Sequence, residues 1–166
     1  MLPHHFELMW LQVLECELHP DADSLYVQKI DVGDESGSRT VVSGLVNYIT
    51  KDQMVGREVV LLCNLKPAKM RGIESTAMVL CASNLDHTEV EPLRPPPSSA
   101  IGDRVGCFGY TNSTPDKVLN PKKKVWEKLQ QDMYMGQDGI ARWRDGALET
   151  TQGPITARSI RGGTIG

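Results

Sequence analysis

Three consecutive pieces decide the fold: Arg39-Thr40-Val41-Val42-Ser43-Gly44-Leu45-Val46, then Thr50-Lys51-Asp52-Gln53, then Val59-Val60-Leu61-Leu62-Cys63-Asn64-Leu65. The outer two are short apolar runs rich in β-branched residues and bounded by polar or glycine positions, the pattern of strands. The middle piece has the spacing of a capping box. The Thr50 hydroxyl serves the backbone N–H three residues on, while the Gln53 side chain reaches back to the Thr50 N–H. A short helix or single helical turn near Lys51–Val55 is therefore predicted between two strands.

Working outward, Phe6–Leu18 and Leu25–Val32 read as two earlier strands, joined by His19-Pro20-Asp21-Ala22-Asp23-Ser24, a turn by its Pro and Asp content. Gly33–Ser38 is a second loop, and Met78–Ala82 is a fifth strand. Five strands with one helical turn after the third suit a small closed barrel better than a sandwich of seven or more. The predicted class is mainly all-β: a five-stranded oligonucleotide-binding (OB) barrel with one inserted helical turn, plus a small α+β C-terminal appendage. Pro92, Pro95, Pro96 and Pro97 mark a stiff connector that is not expected to join a ladder. Gly102–Phe108 offers one more strand. Asn120-Pro121 has the form of a helix start, with Asn as N-cap and Pro at the first helical position. Val125, Leu129 and Met133, with Trp126 beside them, make an apolar stripe, and Lys122, Lys123, Lys124 and Lys128 are expected around the rest of that helix. The tail from Gly136 has short strands at most.

Several function classes lack support. With 166 residues the chain is long enough to bury a core without staples. No apolar run approaches the ~18–20 residues of a membrane span, and Met1–His5 has no signal-peptide pattern. Cys16, Cys63, Cys81 and Cys107 form no Cys-x-x-Cys pair, so they read as small buried hydrophobes in a reducing compartment. No phosphate-binding glycine loop and no nucleophile elbow occurs. His19, Asp21 and Asp23 are better explained by the turn than by a metal. Ser43-Gly44 is better explained by a bend in a strand than by a nucleophile. Neither catalysis, nor metal, nor cofactor is expected.

The net charge of −3 conceals an uneven distribution. Residues 1–50 hold two basic residues, Lys29 and Arg39, against eight acidic, whereas residues 101–166 hold ten basic against seven acidic. Lys66, Lys69 and Arg71 fall in an acid-free Pro-containing segment, Asn64–Gly72, read as a loop. Between residues 117 and 128, five lysines face only Glu127. Local potential is what a polyanion meets at contact. The loop cations suit phosphate oxygens. Asn64 suits a base edge or a ribose hydroxyl.

Four segments together resemble one family: His19–Val27, Thr40–Val46, Cys63–Ser75 and Leu119–Trp126. The chain resembles the tRNA-binding domain of endothelial monocyte-activating polypeptide II, which also forms the C-terminal extension of some eukaryotic aminoacyl-tRNA synthetases. The resemblance runs from about Phe6 to the end and weakens after Met133. It implies an OB-fold tRNA-binding domain over residues 6–108. It also implies an appendage over 109–166 that covers the surface through which simpler relatives dimerise, leaving the chain monomeric. The implied function is binding tRNA by shape and backbone in the cytoplasm, in cis or in trans to an aminoacyl-tRNA synthetase, with no membrane involved. It also implies that Ser75 and Met78 sit on the RNA face, Ser75 toward a phosphate and Met78 toward a base or sugar. The RNA-binding candidates are then Arg39, Asn64, Lys66, Lys69, Arg71, Ser75, Met78, Lys122, Lys123 and Lys124. One departure stands out: Met9-Trp10-Leu11-Gln12 occupies the place of the family's basic first strand, which removes cations there. Trp10 is either core or a platform for a base or a partner protein. The rival reading is a protein-interaction or cytokine-like signalling domain released from a synthetase complex.

Overall fold

The computed structural model describes residues 7–31, 37–97, 101–108, 118–119, 122 and 124–166, and leaves out the side chain of Trp10. Strand β1 (Leu8–His19) is long enough to serve two partners. Its first half pairs antiparallel with β4 (Glu58–Leu62), from Leu8↔Leu62 to Gln12↔Glu58. From Gln12 onward it pairs with β2 (Ala22–Asp31), and β2 pairs with β3 (Ser38–Ser43). The register breaks between Val13 and Glu15. Such an irregularity bends and twists a strand, so one strand turns from one wall of the barrel to the next.

Helix α1 (Lys51–Met54) stands between β3 and β4 with the capping box complete. Gln53 N donates to Thr50 Oγ1 at 3.3 Å, and Thr50 N donates to Gln53 Oε1 at 3.1 Å. Met54 is the helix's buried residue. Next comes a hairpin, β5 (Ala68–Met70) and β6 (Ile73–Ser75), and then β7 (Met78–Val79), which pairs with β4. The barrel order is thus β3-β2-β1-β4-β7. Among the described residues no ladder joins β7 to β3, so the sheet stays open there. Individual bonds span the gap instead: Thr76 N donates to Thr40 O at 3.0 Å, and Val42 N donates to Ser75 Oγ at 3.0 Å. The molecule is mostly β, an OB-like barrel arrangement whose sheet is not closed.

Strand β4 explains why Val59-Val60-Leu61-Leu62 is apolar at every position. Val59 and Leu61 enter the core inside the barrel, with Leu11, Val13, Ile30 and Met54. Val60 and Leu62 enter a second core. A strand buried on both faces reads as an unbroken apolar run. The second core holds Leu80 and Leu93 beside Trp126, Leu129, Trp143, Leu148 and Ile155 from the C-terminal third. Each fully buried side chain of this size contributes about 1.5–3 kcal/mol.

Beyond β7 the chain runs through β8 (Cys81–Ser83), β9 (Val90–Pro92) and β10 (Arg104–Cys107). After α2 (Val125–Gln130) come β11 (Met133–Met135), β12 (Ala141–Trp143), β13 (Gly146–Thr150), β14 (Gly153–Pro154) and β15 (Thr164–Ile165). Strand β10 links β1 to β13, and β15 pairs with β8, so the tail is sewn to the barrel at two places.

Four local expectations change. Pro92 does join a ladder, opposite Cys81, because it sits at the end of β9 where no N–H is required and the next donor, Leu93 N, bonds Leu80 O at 3.0 Å. Segment 68–75 is a hairpin rather than a loop. Helix α2 begins at Val125 with Lys124 as N-cap, in a left-handed conformation (φ 49°) and with no side-chain cap bond. Asn120 and Pro121, the expected start, lie outside the described residues, as do Lys117 and Lys123. Lys122 and Lys124 therefore come before the helix instead of decorating it, while Lys128 lies in its last turn. Met133, expected on the helical stripe, is a buried residue of β11.

Candidate nucleic-acid interface

The hairpin that carries the loop cations is built by its own sequence. Ala68↔Ser75, Lys69↔Glu74 and Met70↔Ile73 pair across it, and Arg71-Gly72 makes the turn. Both turn residues have positive φ, 54° and 88°, the signature of a tight two-residue connection. The hairpin is latched to the end of β1. The ring of His19 is buried, with Nε2 3.1 Å from Met70 O, and Nδ1 accepts from Asp21 N at 3.0 Å. These partners select the tautomer protonated on Nε2. Arg71 Nη2 donates to Asp21 O at 3.1 Å, which holds the turn against the β1–β2 corner. Lys66, Lys69 and Arg71 are all exposed.

Beside the hairpin lies a cleft of about 350 Å³, lined by Val42–Leu45 at the end of β3, by Leu65–Lys66 and Met70, and by Ser75 and Ala77–Val79. Its walls are mostly apolar, with the Lys66 side chain among the few charged groups. The expected residues Lys66, Ser75 and Met78 therefore meet at one place. Met78 is half-buried and packs against the second core while lining the cleft. Ser75 is buried and its hydroxyl is committed, accepting from Val42 N and donating to Ala77 O at 3.0 Å. It therefore shapes the cleft and is not aimed outward.

Asn64 departs further from expectation. It is buried, its Oδ1 accepts from Glu7 N at 3.1 Å, and its backbone carbonyl accepts from Leu119 N at 2.7 Å. Its carboxamide braces the root of the hairpin instead of meeting a base edge. The Leu119 bond also ties the segment before α2 to that root, so exposed Lys122 lies within three residues, at most about 11 Å of chain, of an anchored point. Lys124 is exposed as well. Arg39 is half-buried on β3 and Nη1 donates to Cys63 O at 2.9 Å, bracing the strand from which the hairpin departs.

Sequence reasoning missed the apolar residues of the cleft, among them Leu65, Ala68 and Met70. The signal was the alternation on either side of Arg71-Gly72, which marks a hairpin with two unlike faces. No group of three or more metal-ligating side chains occurs among the described residues. No helix among them is long and apolar enough to cross a membrane.

Comparison with known proteins agrees with this geometry. Residues 11–104 match the family described as "Putative tRNA binding domain". The chain is 54% identical over 166 residues to cytoplasmic tyrosine–tRNA ligase of Danio rerio, covering 99% of this chain and 31% of the ligase. It is 51% identical over 138 residues to aminoacyl tRNA synthase complex-interacting multifunctional protein 1 of Cricetulus griseus, covering 83% of this chain and 37% of that protein. The chain thus spans about a third of the length of these relatives. The crystal structure of the C-terminal domain of Plasmodium vivax p43 superposes with a TM-score of 0.91 at 34% identity, covering 98% of each chain. With a family model matching more than half its length, an exposed cationic hairpin and an apolar cleft on one face of an OB-like barrel, this chain belongs to the tRNA-binding domain family.

Proposed function

We propose that this tRNA-binding domain works as the non-catalytic tRNA-holding module of a cytoplasmic aminoacyl-tRNA synthetase, or of a protein that assembles with one. Its job is to raise the local concentration of tRNA at the catalytic centre, an effective-concentration device. The observation that carries the reading is the hairpin. It presents Lys66, Lys69 and Arg71 to solvent beside an apolar cleft. Cations grip phosphates without reading sequence, and an apolar wall accepts a sugar or an unstacked base.

The division into a barrel over 6–108 and an appendage over 109–166 is supported by the shared second core, where barrel residues Leu62 and Leu80 meet Trp126 and Trp143. The same shared core supports the reading that the appendage covers the surface through which simpler relatives dimerise and leaves the chain a monomer. Lys122 and Lys124, tied near the hairpin root, extend the cationic face.

The test is tRNA binding over a salt series, comparing the unaltered chain with a Lys66→Ala/Lys69→Ala/Arg71→Ala variant. Loss of three phosphate contacts flattens the slope of log affinity against log salt by roughly 2–3 units. Equal binding by both proteins would move the site to the lysines before α2. No binding by the unaltered chain at low salt would overturn the proposal.

A further inference from the structure

A second cleft, about 300 Å³, opens beyond the β8–β9 hairpin. Val90 lines both clefts, so the two adjoin there. Unlike the first, this one is polar. Arg57 and Arg158 line it together with Tyr48, Gln53 and Ser159.

Arg57 is fixed from below. The backbone on either side of it is clamped to β1, with Val13 N donating to Arg57 O at 2.9 Å and Gly56 N donating to Val13 O at 2.8 Å. Arg94 is placed by reciprocal backbone bonds with Thr156, at 2.8 and 3.0 Å. Arg158 is placed by Glu91, whose Oε1 accepts from both Ser159 N and Ile160 N at 2.9 Å while Oε2 accepts from Ser159 Oγ at 3.1 Å. Arg57 and Arg158, from distant parts of the chain, thus line one cleft, and Arg94 is close enough to Arg57 for their charges to interact. Burial lowers the Arg57 pKa from its ordinary value, and the positive charge of Arg94, with a smaller push from Arg158, adds to that effect. Glu91 opposes it, but its two oxygens are engaged by the 159–160 turn, and Glu89 is the other carboxylate on the lining. Among the described residues, none of the three arginines forms an ion pair within 4.0 Å. Two guanidinium groups on the lining that are not ion-paired within 4.0 Å, beside a Glu91 whose oxygens are already engaged, keep donors for an anion.

We infer that the cleft lined by Arg57 and Arg158, with Arg94 beside it, is a second phosphate subsite for the RNA backbone, reached by a strand that continues past Val90 from the first cleft. Tyr48, 43% exposed at the rim, supplies a face for an adjoining base. The inference rests on the tRNA-binding reading and adds a contact face that the lysine-rich segments do not include.

The test measures tRNA affinity over a salt series for Arg94→Ala/Arg158→Ala, both exposed positions, so the fold is kept; melting temperature verifies this. The expected result is binding on the order of tenfold weaker, with a slope flattened by about 1.5–2 units. Glu89→Gln removes an opposing charge and is expected to tighten binding about twofold. A control, Arg104→Ala/Arg142→Ala, loses the same charge elsewhere and is expected to stay within about twofold. If Arg94→Ala/Arg158→Ala binds like the unaltered chain, or no worse than the control, while the hairpin variant is weakened, the second subsite is overturned and the tRNA-holding reading stands. If the unaltered chain binds no tRNA, both fall. If AMP alone, at micromolar concentration, shifts the amide resonances of Ser159 and Ile160, a free mononucleotide replaces the RNA backbone as the ligand.

Discussion

The Ser75 hydroxyl bridges Val42 N and Ala77 O, each at 3.0 Å, at the place where the barrel's ladder is open between β3 and β7. One side chain does there what a strand pairing does elsewhere. It also fixes the cleft wall, since Val42, Ser75 and Ala77 all line it. Ser75→Ala leaves a buried N–H without a partner, which costs about 1–3 kcal/mol. The expected outcome is a melting temperature lower by roughly 2–12 °C, read by calorimetry. An unchanged melting temperature would show that the gap is closed by Thr76 alone.

Arg71 adopts φ 54° at a turn where Gly or Asn is the unstrained choice. A non-glycine residue there costs about 1–2 kcal/mol. The strain places a cation at the hairpin tip. Arg71→Gly is therefore expected to melt no lower than the unaltered chain, and up to about 1 kcal/mol more stably, while binding tRNA several-fold more weakly. Measuring both quantities on one preparation checks the trade. Retained affinity would remove Arg71 from the contact set.

Glu91 predicts a pH dependence. Burial works to raise its pKa, but the bonds from Ser159 and Ile160, with help from Arg57, outweigh that and hold it below the ordinary 4.5. A carboxylate depressed in the folded state adds stability above the unfolded value and loses it as pH falls through the folded one. The difference in melting temperature between the unaltered chain and Glu91→Gln is expected to be full at pH 7 and to shrink as pH falls below about 4.5. A difference independent of pH would mean that the Glu91 bonds act through shape alone.

The four thiols are buried and in no disulfide, and burial pushes those of Cys16 and Cys107 up to about 11 and that of Cys81 up to about 12. Thiolate is the reactive form. A thiol reagent at pH 7.5 is expected to leave the folded chain nearly unlabelled and to modify all four after denaturation. Fast labelling of the folded chain would reveal local opening of β8 or β10.

What was legible in the residue order was whatever depends on near neighbours. Thr50 and Gln53 are three apart, and the capping box they spell is the one observed. Lys66, Lys69 and Arg71 stand in an acid-free stretch, and they emerge exposed on one hairpin. The strand runs follow from short apolar segments and their punctuating turns. The hairpin itself was missed because Pro67 and Gly72 read as loop, although the pairing they flank is only three residues deep.

Other features depend on which distant segments meet, and no local pattern contains that. Asn64 carries the donors and acceptors of a base reader, yet packing at the hairpin root turns it inward to Glu7. Val60 and Leu62 became core because the C-terminal third covers the outer face of β4. Arg57, Arg94 and Arg158 are separated by up to 101 residues (158 − 57), and each taken singly is an ordinary surface arginine. Only the closing of β9 against the tail through Glu91 and Thr156 brings Arg57 and Arg158 to one cleft with Arg94 close by. The sequence by itself determined the strands, the cap and the cationic tip, because hydrogen bonding and hydrophobic period act over a few residues. The tertiary structure decided which polar groups face solvent and which charges gather, because burial and Coulomb interaction act through space.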